Sequence, residues 1–288
     1  MKHYSQLLKL RLSWLVVFSA VITCLMAEIR LGIPHEWFRI LMLTIGGFFV
    51  TGASNSFNQV IEKDLDKLMT RTENRPMPKE RLSITSALIF SSATGISGLF
   101  ILYWFINPLS ALLGLIALVL YVAIYTPLKK ITPFAVFIGA FPGAIPPLLG
   151  WVAASGSFQF EGWILFAIQF IWQFPHFWAL AWMLEEDYGR AGFRMLPASD
   201  GRSKTSALQI MFYTAGLIPI GILPYVFGIS GVPSAMISLG AGLFMMIKSM
   251  KLHKTLEIKD ARSLLFSSFI YLPVVQLALM FDTIKISQ

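Results

Sequence analysis

The chain has 288 residues, of which 56% are hydrophobic and only 13% are charged, and its formal net charge at pH 7 is +8. About a quarter of the residues of a soluble globular domain are charged, so this composition excludes such a domain and predicts a protein whose solvent is lipid. The single cysteine, Cys24, excludes an internal disulfide framework and a cluster of thiolate metal ligands.

Apolar segments long enough to cross a bilayer follow one another along the chain. The nine segments cover residues 13–33, 39–60, 84–106, 108–126, 133–154, 160–184, 206–229, 231–249 and 263–282. The first is predicted to be a membrane helix and not a cleavable signal, because it lacks a clear small-residue cleavage site and comparable segments follow it. Since the loops are short, we predict an all-α fold, a bundle of about nine transmembrane helices forming a single integral membrane domain over residues 1–288.

The basic residues gather on one side of this predicted bundle. Of the 23 Lys and Arg residues, 20 lie in the N-terminal segment or in the loops that follow the second, fourth, sixth and eighth apolar segments. We call these five regions the basic end. The positive-inside rule predicts that the N-terminus and the basic end are cytoplasmic and that the C-terminus lies outside. Because topology accounts for the positive charge, we predict no nucleic-acid binding.

A row of oxygen-bearing side chains closes the second segment. Asn58, Glu62 and Asp66 are spaced at four-residue intervals and therefore share one face of a helix, with Asn55 one turn earlier. Asp64 points away from Glu62 and receives less weight. Carboxylate and amide oxygens suit Mg²⁺, which commonly bridges a protein carboxylate to a substrate phosphate. The row predicts a magnesium–diphosphate site, and the alternative is a solvated helix end with ordinary ion pairs.

Cationic side chains follow the acidic row and recur after the fourth segment. Arg71 and Arg75 can bind diphosphate oxygens with their guanidinium groups. Lys129 and Tyr125, also at the basic end, are predicted to contact further phosphate oxygens. An interfacial tyrosine beside topological lysines is the ordinary alternative for this second pair.

Polar side chains also occur within the sixth segment. Gln169, Gln173 and His176 are spaced i, i+4 and i+7, and Trp172 lies between them. Polar groups at membrane depth are costly and usually face the bundle interior or a wet cavity, so we predict that these residues form a cavity wall. A lone histidine of this kind is otherwise a hydrogen-bonded packing residue. Asp187 follows the segment at the basic end, where it and the neighbouring Glu186 are predicted to form a second acidic cluster that faces the first acidic row.

The fifth segment is interrupted by Pro142, Pro146 and Pro147. Such prolines are tolerated in membrane helices where neighbours satisfy the freed carbonyl groups, often around a cavity. Gly139 and Gly143 precede them, and we predict that these glycines allow close helix contact.

Taken together, these segments resemble the UbiA superfamily of intramembrane aromatic prenyltransferases, and within it the branch that prenylates haem. The blocks that carry the resemblance are Asn58…Glu62…Asp66, Met69-Thr-Arg71-Thr-Glu-Asn-Arg75-Pro76, Pro146-Pro147-Leu-Leu-Gly150-Trp151, Trp172-Gln-Phe-Pro-His176-Phe-Trp178 and Asp187-Tyr188. The resemblance covers about residues 9–200. Glu62 stands where the superfamily usually has Asp, and Ala191 stands where its second motif usually has another Asp. Glu186 is a candidate substitute for that missing carboxylate.

The resemblance implies that the farnesyl chain of farnesyl diphosphate is transferred to the 2-vinyl group of protohaem IX (haem B), with addition of water and release of diphosphate, to give haem O for haem–copper oxidases. It implies Mg²⁺ as the cofactor, held by Asn58, Glu62, Asp66 and Asp187. Arg71, Arg75, Tyr125 and Lys129 would bind the diphosphate. His176 would contact the haem iron or help to add water, and haem B would be a substrate rather than a cofactor.

Alternative functions remain open at this point. A prenyltransferase of the same fold could act on a quinone precursor or a chlorophyll-type porphyrin, and the block from Gln173 to His176 is the feature that separates these acceptors from haem. A secondary transporter also uses interrupted helices, but no inverted repeat is evident here. A purely structural membrane subunit leaves the acidic row unexplained. We expect a bacterial inner membrane location, because no transit peptide is evident, and a haem A synthase or oxidase assembly factor as a partner.

Overall fold

The structure, a computed structural model, describes residues 2–286, so Met1, Ser287 and Gln288 of the predicted 1–288 domain lie outside the described residues. The described residues form α1 (Lys2–Leu7), α2 (Leu10–Leu31), α3 (Trp37–Ile61), α4 (Lys63–Asp66), α5 (Ile84–Phe105), α6 (Pro108–Val119), a π-helix (Leu120–Tyr125), α7 (Thr126–Leu128), α8 (Ala135–Ser155), α9 (Phe160–Met183), α10 (Glu185–Arg190), α11 (Lys204–Val226), α12 (Val232–Thr255) and α13 (Ile258–Phe281). Nine spans in this part of the chain are long and apolar enough to cross a membrane. The predicted all-α membrane bundle is therefore confirmed.

The helix ends follow local signals in the sequence. Ser83, Asn107 and Ser203 cap the starts of α5, α6 and α11, since each side chain accepts a hydrogen bond from a main-chain amide three residues later. Gly32 and Gly156 end α2 and α8 in the left-handed conformation, at φ of +64° and +70°. Glycine is the residue that adopts this conformation without steric cost.

Charged residues extend the last two membrane helices beyond the predicted apolar segments. The helix predicted over residues 231–249 continues to Thr255, and the helix predicted over residues 263–282 already begins at Ile258. Lys251 and Asp260 pair across this turn at 3.0 Å. Hydropathy marks only the lipid-facing part of a helix, so it misses turns that continue into the polar region.

The fourth predicted segment contains a change of helix type. α6 gives way at Leu120 to a π-helix, and an ordinary turn resumes at Thr126. Pro127 lies directly after the change and lacks a main-chain amide. Rare π-helical turns of this kind occur frequently at functional sites.

α8 is the most deeply buried span and lies at the centre of the bundle, against α2, α6 and α9. Its contact with α2 requires a glycine at position 150, because a Cβ atom there would lie 1.9 Å from the main-chain oxygen of Ala20. A Cβ atom at Gly143 would lie 1.9 Å from Oε1 of Gln173 on α9. These glycines bring the helices around α8 close together.

Two arginines at the end opposite the basic end are tied to the protein itself. Arg39 pairs at 2.9 Å with Glu28, whose side chain is fully buried, and His35 contacts the other oxygen of this carboxylate at 2.8 Å. Arg30 donates hydrogen bonds to the main-chain oxygens of Gly228 and Ile284 at 2.7 and 2.8 Å. Both arginines therefore stabilise helix ends, which explains why they depart from the charge pattern of the loops.

Candidate active site

The acidic row predicted from the sequence forms a buried cluster in which each of its two carboxylates is paired with a cation. α3 ends at Ile61, so Glu62 lies at the junction with α4 and Asp66 at the last residue of α4. Glu62 forms an ion pair with Lys129, and both side chains are largely buried. Asp66 accepts hydrogen bonds at 3.1 and 2.9 Å from a single guanidinium nitrogen of Arg75. We call Asn58, Glu62, Asp66, Arg75 and Lys129 the charged cluster.

Asn58 connects the charged cluster to the π-helix. Its amide nitrogen donates to Oγ1 of Thr126 at 3.2 Å, and this hydroxyl donates in turn to the main-chain oxygen of Tyr121 at 2.8 Å. The amide oxygen of Asn58 is thus the atom left for a ligand. The rings of Tyr121 and Tyr125 lie 5.3 Å apart, and the ammonium of Lys129 lies 4.9 Å from the centre of the Tyr125 ring.

Lys9 adds a further cation to the charged cluster. Its backbone is in the left-handed region, at φ of +47°, directly before α2, a conformation that is uncommon for a residue other than glycine. Burial lowers the pKa of the Lys9 ammonium to about 7, and the neighbouring cations of Arg75 and Lys129 act in the same direction. The carboxylates of Glu62 and Asp66 oppose this shift. Burial likewise lowers the pKa of the Lys129 ammonium, despite its contact with Glu62.

Asp187 lies at the basic end but is engaged by the main chain. Its two carboxylate oxygens accept hydrogen bonds from the amides of Thr70 and Arg71 at 3.0 and 3.1 Å. Although partial burial raises the pKa of this carboxyl, the amide donors and the nearby Arg190 hold it below its ordinary value. The predicted role of Asp187 as a metal ligand stays a prediction. In the part of the chain that the structure describes, no three His, Cys, Asp or Glu side chains are grouped for metal binding.

Three other residues considered from the sequence are exposed at the basic end, and the predicted role of Arg71 at the diphosphate stays a prediction. The exposed Arg71 lies with Arg190 and Arg202 around a second, open cavity at the basic end. Glu186 is mostly exposed and pairs with Arg202 at 3.3 Å. Asp64 is exposed and contacts Lys63 at 3.0 Å, which agrees with the low weight given to it from its spacing.

An apolar cavity of about 290 Å³ lies inside the bundle, between α2, α3, α6, α8, α9 and α13. It comes near the charged cluster at Tyr125, whose ring contacts the ammonium of Lys129. Asn55 lies in its wall on α3, and Tyr125 lines it from the π-helix. The polar residues predicted for α9 line it as well: Gln169, Trp172, Gln173 and His176. Apolar walls with a few placed polar groups are typical of sites for small molecules.

Hydrogen bonds between four helices fix the polar part of this wall. Ser19 on α2 donates to Gln276 on α13 at 3.1 Å, and Gln276 donates to the side-chain oxygen of Gln169 at 3.0 Å. Gln169 and Gln173 donate in turn to main-chain oxygens of α8 at 2.7 and 2.9 Å. We call this set the glutamine network. Buried polar networks whose members are all satisfied hold a core rigidly.

His176 stacks on Trp172 with ring centres 4.6 Å apart. Both side chains are anchored to Ser268 of α13. The Nδ1 atom of His176 lies 2.8 Å from Oγ of Ser268, and Nε1 of Trp172 donates to the main-chain oxygen of the same residue at 2.8 Å. The histidine is therefore oriented within the cavity wall.

The model of the UbiA prenyltransferase family matches residues 16–272. The chain belongs to the UbiA prenyltransferase family. It is thus a polytopic membrane prenyltransferase, and family membership decides against the transporter and the structural subunit considered from the sequence.

Curated relatives cover nearly the whole of this UbiA protein. A protein from Cytophaga hutchinsonii named protoheme IX farnesyltransferase is 47% identical over 98% of this chain and 97% of its own. One of the same name from Flavobacterium psychrophilum is 46% identical over 97% of this chain and 93% of its own.

Solved structures share the fold at lower sequence identity. A structure of digeranylgeranylglyceryl phosphate synthase gives a TM-score of 0.80 at 20% identity, covering 98% of this chain and 97% of that chain. A UbiA homologue from Archaeoglobus fulgidus, bound to GPP and Mg²⁺, gives 0.71 at 15% identity, covering 96% of this chain and 99% of that chain. These similarities establish the UbiA fold of the present chain.

Sequence reasoning missed several residues that complete the site of this UbiA protein. Gln276 is a polar residue in the middle of the ninth segment, and its depth was a signal of the same kind as that of Gln169. Thr126 and Ser268 gave no signal, because serine and threonine commonly bond to their own helix. Lys9 was counted only among the basic residues of the N-terminal segment and was given no role.

Proposed function

We propose that this protein transfers the farnesyl group of farnesyl diphosphate to the 2-vinyl group of haem B, which yields haem O and diphosphate. The observation that carries the proposal is the charged cluster, which contacts Tyr125 in the wall of an apolar cavity that also holds an oriented histidine. The proteins from C. hutchinsonii and F. psychrophilum named for this activity match the chain over almost its whole length, which supports haem as the acceptor.

The charged cluster is suited to a diphosphate. Lys129 and Arg75 neutralise the two carboxylates when no substrate is present, and both are donors that bind phosphate oxygens well. Lys9 increases the positive charge at the same place. Because the cations are already near the site, the protein binds the negative leaving group with little rearrangement of its charges.

The cluster also fits Mg²⁺ by the chemistry of its donors. Asn58, Glu62 and Asp66 present one amide and two carboxylate groups on neighbouring turns, and oxygen donors are the ligands that Mg²⁺ prefers. These residues would hold the metal, and Asp187 would contribute from α10. When bound, Mg²⁺ supplies positive charge that neutralises the leaving diphosphate.

The remaining chemistry takes place in the apolar cavity. The C1–O bond of farnesyl diphosphate breaks, the electron pair leaves with the diphosphate, and an allylic cation remains. The rings of Tyr121 and Tyr125 line the cavity near the charged cluster, where aromatic faces stabilise a cation. The cation bonds to the terminal carbon of the vinyl group, and the charge moves to the carbon attached to the porphyrin. Water adds to that carbon and loses a proton, which gives the hydroxyethylfarnesyl side chain.

We also propose an orientation of the protein in the membrane and a class of protein that receives its product. The excess of Lys and Arg at the basic end supports a cytoplasmic N-terminus and active-site mouth, with the C-terminus outside, in a bacterial inner membrane. Farnesyl diphosphate would then enter from the cytoplasmic side. Because haem O is poorly soluble in water, a haem A synthase or an oxidase assembly factor is the expected recipient.

The test is turnover by the purified protein with haem B, farnesyl diphosphate and Mg²⁺, followed by mass spectrometry. We expect haem to gain a farnesyl group and a hydroxyl group, and a chelator to abolish the product. Parallel reactions with an aromatic quinone precursor and with a chlorophyll-type porphyrin test the other acceptors. Unchanged haem together with a prenylated alternative acceptor would disprove the haem assignment and leave the prenyltransferase assignment intact.

A further inference from the structure

The direction of two hydrogen bonds at Ser268 determines where the proton of His176 resides. Oγ of Ser268 lies 2.6 Å from the main-chain oxygen of Leu265. A carbonyl oxygen only accepts, so the single hydroxyl hydrogen of Ser268 lies on this contact. Oγ therefore offers only lone pairs to Nδ1 of His176, 2.8 Å away, and this nitrogen must carry a hydrogen. In the neutral ring, Nε2 is then the nitrogen with the free lone pair.

The surroundings of the ring leave this lone pair available to the cavity. Trp172 stacks on one face of His176, and Phe269 and Phe177 approach edge-on at 4.9 and 5.5 Å. Within the described residues, Nε2 has no hydrogen-bond partner, and the side chain lines the cavity. His176 precedes Met183, the last residue of α9, by two helical turns, so it lies about 10 Å below the end of the helix at the basic end.

We propose that Ser268 is a positioning residue that keeps the lone pair of His176 on Nε2, and that Nε2 accepts the proton released when water adds to the vinyl-derived cation. The proton transfer rests on the proposed function. The water oxygen bonds to the carbon attached to the porphyrin, one O–H bond breaks, and its proton moves to Nε2. The diphosphate is held at the charged cluster, none of whose residues lines the cavity beside His176, and so the cavity wall supplies the base.

The tautomer can be measured without substrate. Histidine labelled with ¹⁵N distinguishes a protonated ring nitrogen from one with a lone pair in the NMR spectrum, and H176Q assigns the signal among the four histidines of the chain. We expect Nδ1 of His176 to be protonated in the wild type and in S268T, which keeps the hydroxyl. In S268A the proton should move to Nε2. A wild-type spectrum with the proton on Nε2 would overturn the proposal.

The product mixture tests the role of the lone pair. Without a base for the added water, the cation loses a proton from carbon and gives a product lighter by one water molecule. We expect S268A to lower formation of the hydroxylated product about 10-fold, with a matching rise in the lighter product and rescue in S268T. S267A is the matched control, because Ser267 is buried on the same helix and bonds only to the main-chain oxygen of Leu264.

Two further outcomes would overturn the inference. One is an unchanged product ratio in S268A despite a changed tautomer. The other is a haem absorption band of histidine-ligated iron that disappears in H176Q, since Nε2 would then bind iron and not a proton. Failure of the proposed function differs from both, because the wild type would then form no prenylated haem, while the NMR result on the tautomer would stand.

Discussion

The side-chain amide of Gln169 donates a 2.7 Å hydrogen bond to the main-chain oxygen of Gly143, and this oxygen is the one that Pro147 leaves without a helical donor. In a continuous α-helix the amide of residue 147 would bond to the oxygen of residue 143. Proline has no amide hydrogen. A glutamine from the neighbouring helix thus replaces a missing main-chain bond of α8 in the wall of the cavity.

This relationship predicts a compensating pair of substitutions. Q169L should lower the free energy of unfolding by about 1–2 kcal/mol, because the oxygen of Gly143 and the amide of Gln276 both lose a partner. Adding P147A supplies an amide for Gly143, so the double variant should recover part of this loss. Thermal unfolding in detergent of the two single variants and the double variant measures the coupling. Strictly additive effects would contradict this role of Gln169.

The acidic row predicts a loss of activity without loss of the fold. D66N should lower turnover at least about 100-fold, since a carboxylate at the diphosphate is replaced by a neutral amide. D64N is the matched control, because Asp64 lies two residues away on the same short helix and is exposed. Turnover and circular dichroism are measured on both variants.

A double variant separates the chemistry of Asp66 from its ion pair with Arg75. If the two residues served only to neutralise each other, D66L combined with R75L would restore activity. We expect the double variant to remain inactive, because both side chains bind the substrate or its metal.

The pKa of Lys9 predicts a dependence of substrate affinity on pH. With a pKa of about 7, the ammonium is positive below this pH and becomes neutral above it in the empty site. A diphosphate stabilises the charged form, so its affinity should fall as the pH rises from about 6 to about 9. K9R, which stays positive, should remove this part of the dependence, and K9M should weaken binding about 10-fold at low pH. Titration with a non-reactive farnesyl diphosphate analogue checks this; identical pH profiles for K9M and the wild type would refute it.

The contact between α2 and α8 predicts an unequal effect of two glycine substitutions. G150A should lower the free energy of unfolding by about 3 kcal/mol or more, since the added methyl group would meet the main-chain oxygen of Ala20, which cannot move alone. G240A should leave stability unchanged or raise it slightly, because no atom lies within 4 Å of its Cβ position and alanine favours a helix. Comparable melting temperatures for the two variants would show that the helices separate easily at Gly150.

The fold could be predicted from the sequence because a lipid environment restricts the structure that a membrane-spanning segment can adopt. Each span must be long, apolar and helical, and hydropathy therefore located all nine spans of the described residues. Their ends were less accurate, as at Ile258, since charged turns remain helical outside the lipid.

Part of the candidate site also followed from local spacing. The row from Asn58 to Asp66 keeps its four-residue helical spacing across the junction of α3 and α4, because the amide of Glu62 bonds to the oxygen of Asn58 and the amide of Asp66 to that of Glu62. The pairing of Glu62 with Lys129 joins residues far apart in the chain, and only the packing of α3 against the π-helix brings them into contact. The anchoring of Asp187 by two main-chain amides depends in the same way on the path of a loop, which spacing does not describe.

The π-helix from Leu120 to Tyr125 sets the direction in which the side chains of the following turn point. A π-helical turn contains one residue more than the α-helical turn it replaces, so later residues are rotated by about 100° relative to an uninterrupted helix. Thr126 and Lys129 reach Asn58 and Glu62 only with this rotation. Deleting a single residue between positions 120 and 125 would therefore turn both side chains toward a different neighbour, although it shortens the chain by less than half a turn.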